Sequence, residues 1–464
     1  MAPIVMAMLL SQTAVAGPVR GIPHKPERIT PAAGRDPHRL VVKLAEEQGL
    51  SMTASGVLGP RALPTLNALL RQSTPLFSRH TETRNAARNP HLADLSLYRV
   101  IEAPNAVEIG NQLLARGEVE TAYLASLPVP PPFDIPPTTS DYSFDQGYDL
   151  AGPHGFGFDD AATWPGGDGR NIRVANLEYG FDPTHEDLVD VDIDAIGPSF
   201  DLYQFHGNGV MGIMAAPDNG YGVSGLIPAA GFLVVSPFVD VDVYNVADAI
   251  DIAASMLTPG DILLIEQQGW VNDTYTPVEV DPAVFDAIAS AVDSGIVVIE
   301  PAGNGACDLD AAEWDGAFNP QTRDSGAIMV GGGASPYSGF APRSYHPLGS
   351  CFGERVDVQG WFDSIISLSA GDGAPSYTDL FFPQRDGRQA YTARFGGTSG
   401  AAPLVAAIAA VMNSVAIETR GEPWNPIELR AVLRSTGHPQ ADPSSNPIGP
   451  QPDLRRLLHI YGVR

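Results

Sequence analysis

Four short segments of this 464-residue chain hold side chains suited to acyl-transfer chemistry. An apolar run at 172–177 leads into Glu178, in Val174-Ala-Asn-Leu-Glu178-Tyr-Gly180. Phe205-His206-Gly207-Asn-Gly209 opens a Met- and Ala-rich stretch, and Pro301-Ala-Gly-Asn304-Gly305 follows another apolar run. Gly396-Gly-Thr-Ser399-Gly-Ala-Ala-Pro403 opens the most apolar helical stretch of the chain. A serine hydroxyl becomes a nucleophile when an imidazole takes its proton, and a carboxylate holds that imidazole in the right tautomer. A serine at a helix N-terminus also meets a dipole that favours a developing oxyanion, to which an asparagine amide can donate. Taken singly, each segment has an ordinary reading: an N-cap, a structural histidine, a turn, a surface acid. The order acid, His, Asn, Ser, each at the end of an element, argues for chemistry.

The elements that must position these groups alternate. Apolar strands are predicted at 172–177, 232–236, 261–265, 296–299 and 327–330. Helices are predicted at 243–257, 282–293 (with Asp281 as N-cap and Pro282 at the first position), 399–412 and 425–434. Interleaving of this kind predicts an α/β fold with a parallel sheet covered on both faces, and a site at the carboxyl ends of the strands. The N-terminal part reads differently. Strands at 39–44, 95–102 and 118–124 and helices at 63–70 and 105–116, the second with Asn105 as N-cap, predict a small α+β domain over 38–127. Residues 18–37 show no periodicity and are expected to be irregular. Six of the ten residues 128–137 are proline, which predicts an exposed linker over 128–145 before a large domain, 146–464.

Composition narrows the class. With 44% hydrophobic and 17% charged residues, the chain can bury a large core and is not disordered. Its 48 glycines and 42 prolines follow no period, which excludes collagen-like repeats. Basic and acidic residues balance up to residue 145, and the whole net charge of −27 lies beyond it. Such a surface excludes nucleic acid as a partner, because a polyanion needs a basic face to displace its counterions. Residues 1–17, with an apolar run at 3–10 and Ala14-Val15-Ala16, read as a secretory signal, so an exported, secreted protein is expected. No later apolar run reaches the roughly 18 residues needed to span a bilayer, so no membrane contact is expected after processing. Cys307 and Cys351 allow one pairing, a disulfide in an oxidising compartment, or else two separate thiols.

The residues of roughly 146–437 resemble those of subtilisin-like serine peptidases. Gly397-Thr-Ser399-Gly-Ala-Ala-Pro403 is similar to the G-T-S-x-A-x-P nucleophile motif of that family, His206-Gly207 to its H-G motif and Ala302-Gly-Asn304 to its A-G-N motif. The stretch 172–188 resembles the acidic motif in register, through Gly180 and His185-x-Asp187-Leu188. Gly225-Leu-Ile-Pro228, Arg355-Val-Asp-Val358 and the stretch 430–437 add lesser matches. The resemblance implies a three-layer α/β sandwich with a mostly parallel sheet of about seven strands. It also implies endopeptidase activity on polypeptides with Ser399 as nucleophile, His206 as base and Asn304 as oxyanion donor. The domain at 38–127 is then expected to be a propeptide that inhibits the peptidase intramolecularly, with maturation cleavage in 128–145; a permanent N-terminal domain is the alternative. A monomer is expected.

One departure stands out. The family carries Asp where this chain has Glu178, one methylene longer; Asp182 is the alternative third member. A pseudopeptidase or protein-binding module on the same fold is the competing function. The resemblance implies that substrate adds as a strand along Glu266-Gln267-Gln268-Gly269, with Gly303 also in the cleft. Glu266 and Glu300 there suggest tolerance for basic or polar substrate residues, unless Glu300 pairs with an arginine in the scaffold. Calcium is common in the family, and Asp190-x-Asp192-x-Asp194 offers either a structural Ca2+ site or a solvated strand face. No organic cofactor is indicated.

Overall fold

The computed structural model describes residues 23, 25–32, 34–53, 56–80, 94–127, 139–371, 378–443 and 446–462. The signal reading of 1–17 and most of the proline-rich segment lie outside these residues. A seven-stranded parallel sheet forms the centre of the large domain. Its order is Val358–Trp361, Ile328–Gly333, Val297–Pro301, Ile262–Ile265, Arg173–Leu177, Gly231–Val235, Ile193–Ile196. Alternate strand residues feed two cores. Val174, Ile262, Leu264, Val297 and Ile299 pack with the helices Gln204–Met214 and Thr398–Arg420 on one face. Ala175, Leu177, Leu263, Ile265 and Val298 pack with Val246–Ala254 and Pro282–Asp293 on the other. Both faces are therefore dry, as continuous apolar strands require, and the three-layer sandwich follows.

The small domain is a four-stranded antiparallel sheet in the order Thr74–Pro75, Tyr98–Glu102, Arg35–Leu44, Val119–Ser126. Helices Pro64–Leu69 and Ala106–Leu114 cover one of its faces. Its other face contributes Val41, Tyr98, Val100 and Ala125 to the core shared with Val246–Ala254 and Pro282–Asp293, so this sheet forms a fourth layer. Polar contacts seal the seam. Arg35 Nη1 lies 2.6 Å from Asp281 Oδ1, and Ser126 Oγ donates to Asp281 Oδ2 at 2.6 Å. Lys43 is buried among Glu46, Glu120 and Asp286, and the Tyr98 hydroxyl also donates to Asp286. The basic residues of the neutral half thus meet acids of the charged half.

Several local expectations change. The first strand begins at Arg35, inside the stretch expected to be irregular, because Arg35 pairs with Asp281. For the same reason Asp281 does not cap its helix with its side chain. Asn105 makes no capping bond either. Residues 95–97 form a 3-10 turn before the strand Tyr98–Glu102. The stretch expected as one helix at 243–257 gives a short strand, Val243–Tyr244, before a helix that Asn245 caps through its bond from Asp248 N. The apolar helix runs to Arg420, long enough by composition to cross a membrane, but it is buried in the sandwich core. The edge strand Ile193–Ile196, the hairpins Gln268–Val271/Thr274–Pro277 and Ile365–Leu368/Tyr391–Phe395, and the C-terminal helix Leu454–Tyr461 are additions to the sequence reading. Asp190 lies in a turn and only Asp194 in that strand; all three aspartates are exposed, and Asp194 pairs with Arg173. The solvated-face reading describes them, and among the described residues no group of three His, Cys, Asp or Glu is arranged to hold a metal.

Cys307 and Cys351 form a disulfide across 44 residues. Beneath this region a charged cluster is sealed from water. Arg355 Nε lies 2.6 Å from Glu279 Oε1 and its Nη1 lies 3.1 Å from Asp357 Oδ2, with all three side chains buried. Glu300 accepts from Glu279 N at 3.0 Å, so it belongs to this scaffold cluster rather than to the cleft. Burial and the neighbouring Glu279 charge push the Glu300 carboxyl well above its usual range. Burial works to raise Glu279 as well, but the Arg355 guanidinium overrides it and holds that carboxyl low. Removing one partner of a buried pair strands the other charge. Arg355→Met is therefore expected to lower unfolding free energy by roughly 3–5 kcal/mol, read by urea unfolding.

Candidate active site

Parallel register places two carboxylates side by side. Strands Arg173–Leu177 and Ile262–Ile265 pair Leu177 with Ile265, so the next residues, Glu178 and Glu266, leave the sheet at the same level. This is the point where the strand order changes direction, the usual location of a crevice in an open α/β sheet. Glu178 turns toward the helix Gln204–Met214. Its Oε2 lies 2.6 Å from His206 Nδ1, and its Oε1 accepts from Tyr179 N at 2.8 Å. An ionised carboxylate only accepts, so Nδ1 carries the hydrogen and Nε2 is left with its lone pair. Both side chains are buried, and His206 Nε2 has no hydrogen-bond partner among the described residues.

The longer acid fits because Gly207 lies beneath it. A Cβ on Gly207 would come within 2.2 Å of the Gly180 carbonyl oxygen and 2.8 Å of Glu178 Cγ. The Phe395 ring, 5.7 Å from the His206 ring between centroids, closes the other side. Asp182 is not part of this arrangement: its carboxylate accepts from Thr184 N and Oγ1 in a local turn.

Ser399 occupies the first turn of Thr398–Arg420, after Gly397 at φ 74°. Pro403, four residues on, cannot donate to the Ser399 carbonyl, which leaves the opening turn loosely tied. Asn304 braces this turn, its Oδ1 accepting from Thr398 N at 2.9 Å. A Cβ on Gly397 would come 3.0 Å from that same oxygen. Asn304 N and Nδ2 both donate to Gln268 Oε1 at 3.2 Å, which leaves one Nδ2 hydrogen available.

The expected substrate segment divides. Gln268–Val271 is a strand, but its partner here is Thr274–Pro277, with Gly269 opposite Thr276. Gln267 is buried, donating to Glu266 O at 2.7 Å and accepting from the Tyr244 hydroxyl at 3.0 Å. Gly303 is buried against Thr276, and its carbonyl accepts from Cys351 N at 2.9 Å. Glu266 is only 2% exposed and faces Ser399 and Glu178. With Glu266 and Glu300 both buried, the argument from these acids to basic or polar substrate residues loses its basis.

Two features of the site escape a sequence reading. Gln268 holds Asn304 in place, and nothing in the spacing of an isolated glutamine signals this. Tyr179 stands amid Tyr203, Phe238 and Tyr244, with Phe200 on Phe238, an aromatic wall built from four separate segments.

Known proteins resemble this chain in sequence and fold. The chain is 27% identical over 320 residues to fervidolysin of Fervidobacterium pennivorans, covering 64% of this chain and 42% of that protein. It is 29% identical over 158 residues to the major intracellular serine protease of Bacillus subtilis, covering 29% of this chain and 44% of that one. The chain thus spans less than half the length of these relatives. The solved structure of fervidolysin, described as a keratinolytic enzyme related to subtilisin, superposes with a TM-score of 0.58 at 15% identity, over 96% of this chain and 64% of that one. That likeness extends the shared fold to the small domain. The model of the subtilase family, Peptidase_S8, matches residues 169–450, which is more than half of the chain and contains all four segments described above. This protein therefore belongs to the subtilase family.

Proposed function

We propose that this chain is a serine endopeptidase acting on polypeptides. Ser399 Oγ attacks the scissile carbonyl while His206 Nε2 takes its proton, and the carbonyl π electrons move to the oxygen. Asn304 Nδ2 donates to that oxyanion. On collapse the C–N bond breaks, His206 returns the proton to the departing amine, and an ester on Ser399 remains. Water activated by the same nitrogen then hydrolyses the ester. Glu178 holds the ring and stabilises the imidazolium in both halves. The observation that carries this reading is the buried 2.6 Å contact between Glu178 Oε2 and His206 Nδ1. It commits one ring nitrogen and leaves the other free for proton transfer. A serine rotates among three staggered positions, and catalytic hydrogen bonds often tighten only when substrate binds.

The small domain reads best as an intramolecular inhibitor removed on maturation. Ala125 and Ser126, at the end of its last strand, line a cavity with Gln268 and Gly269 of the site. Gly34, whose carbonyl accepts from Leu127 N, abuts Trp270 of the hairpin. The last strand of this domain therefore ends beside the hairpin and Gln268, just before the segment expected to be cut. The signal-like residues 1–17 and the disulfide support export.

Ser399→Ala is expected to abolish labelling by a fluorophosphonate probe and to leave the chain uncut. N-terminal sequencing of the unmutated protein is expected to read a start within 128–145. Labelling that persists in Ser399→Ala would remove this serine from the mechanism. Glu178→Gln, which keeps the shape but favours the wrong tautomer, should lower kcat on the order of 10⁴-fold. Asn304→Ala should lower kcat by about 10²–10³-fold with little change in KM.

A further inference from the structure

The second acid at the carboxyl end of the central strands is not used by this mechanism. Glu266 is buried, and neither of its carboxyl oxygens has a hydrogen-bond partner among the described residues. Resting on the reading of Ser399 as nucleophile, we propose that Glu266 is a positioning residue for it: a neutral carboxyl that holds the serine hydroxyl at rest, releases it to His206, and supports reaction only while it keeps its proton.

Each element around Glu266 contributes to this. The strand Arg173–Leu177 delivers Glu178, a carboxylate already committed to His206 and Tyr179 N. The helix Thr398–Arg420 delivers Ser399, close enough to act on Glu266 although no full hydrogen bond is formed. Along its own segment, the Gln267 amide is taken by Glu266 O and Tyr244, and Gln268 Oε1 by Asn304. The helix Gln204–Met214 delivers His206, whose partner is Glu178. No arginine or lysine is among the groups acting on it.

Burial, with the Glu178 charge next, pushes the Glu266 carboxyl well above the usual carboxylate range, and Ser399 offsets this only in part. A neutral carboxyl presents both a donor and an acceptor, so it can hold the Ser399 hydroxyl at rest and release it at little cost. The unpartnered Nε2 of His206 matches a resting state in which the hydroxyl faces Glu266. An ionised Glu266 would grip the hydroxyl more strongly and set a negative charge beside the developing oxyanion. Both effects oppose attack. The sign is therefore fixed: activity is present below the Glu266 ionisation and lost above it.

The test follows kcat/KM and the rate of fluorophosphonate labelling from neutral to strongly alkaline pH, with circular dichroism confirming the fold at each point. The unmutated protein should lose about tenfold per pH unit beyond the ionisation. E266Q, permanently neutral, should be several-fold slower at neutral pH but lose the alkaline fall; E266A should lose on the order of 10²-fold at neutral pH. An E266Q protein with an unchanged alkaline fall, or one that does not label at neutral pH, overturns the role of Glu266 alone. If E266Q does not fold, the unmutated protein still decides: a labelling rate that holds or climbs through the alkaline range overturns the proposal. Absence of labelling at every pH overturns the nucleophile reading as well.

Discussion

The whole site depends on one short contact, between Glu178 Oε2 and His206 Nδ1, and that contact depends on the absence of a side chain at residue 207. A glutamate is longer than the aspartate of its family, so its carboxylate needs room to curl under the imidazole. Gly207 supplies that room on the very helix that carries the histidine. The ring is thereby held from below by the acid and from the side by Phe395, with one nitrogen spent and one free. In the proposed mechanism the rest of the sandwich serves to bring Ser399 to that free nitrogen and Asn304 to the oxygen of the substrate carbonyl.

Much of this could be read from residue types. The strand endings at Glu178 and Asn304, the glycine after His206 and the small residues around Ser399 mark places where backbone and side chain must approach closely, and such places leave a local signature. Contacts made by groups without a characteristic spacing do not. Gln268 bracing Asn304, the aromatic wall on Tyr179 and the burial of Glu266 each arise where segments far apart in sequence meet. Glu266 and Glu300 illustrate the limit. A charged residue after an apolar strand reads as solvent-facing, whereas here helix Thr398–Arg420 covers one and the Arg355 cluster absorbs the other. Capping differs for a related reason: Asp281 has the right neighbours for an N-cap, but a cation from the small domain takes its carboxylate.

The seam between the two domains combines both kinds of force. Apolar residues of the small sheet join the core around helices Val246–Ala254 and Pro282–Asp293, while Arg35, Lys43, Ser78 and His80 reach the aspartates of those helices. An acidic helical surface next to a neutral sheet is therefore not a charge imbalance but a fit.

The disulfide has a mechanical meaning that its position makes plain. Cys307 lies three residues after Asn304, and Cys351 N holds the carbonyl of Gly303, so this single crosslink pins both ends of the loop that carries Asn304. The acid–imidazole pair sits on a strand and a helix elsewhere and owes nothing to it. On the proposed mechanism, a thiol reductant would therefore slacken the half of the site that supports the substrate oxygen while sparing the half that moves the proton.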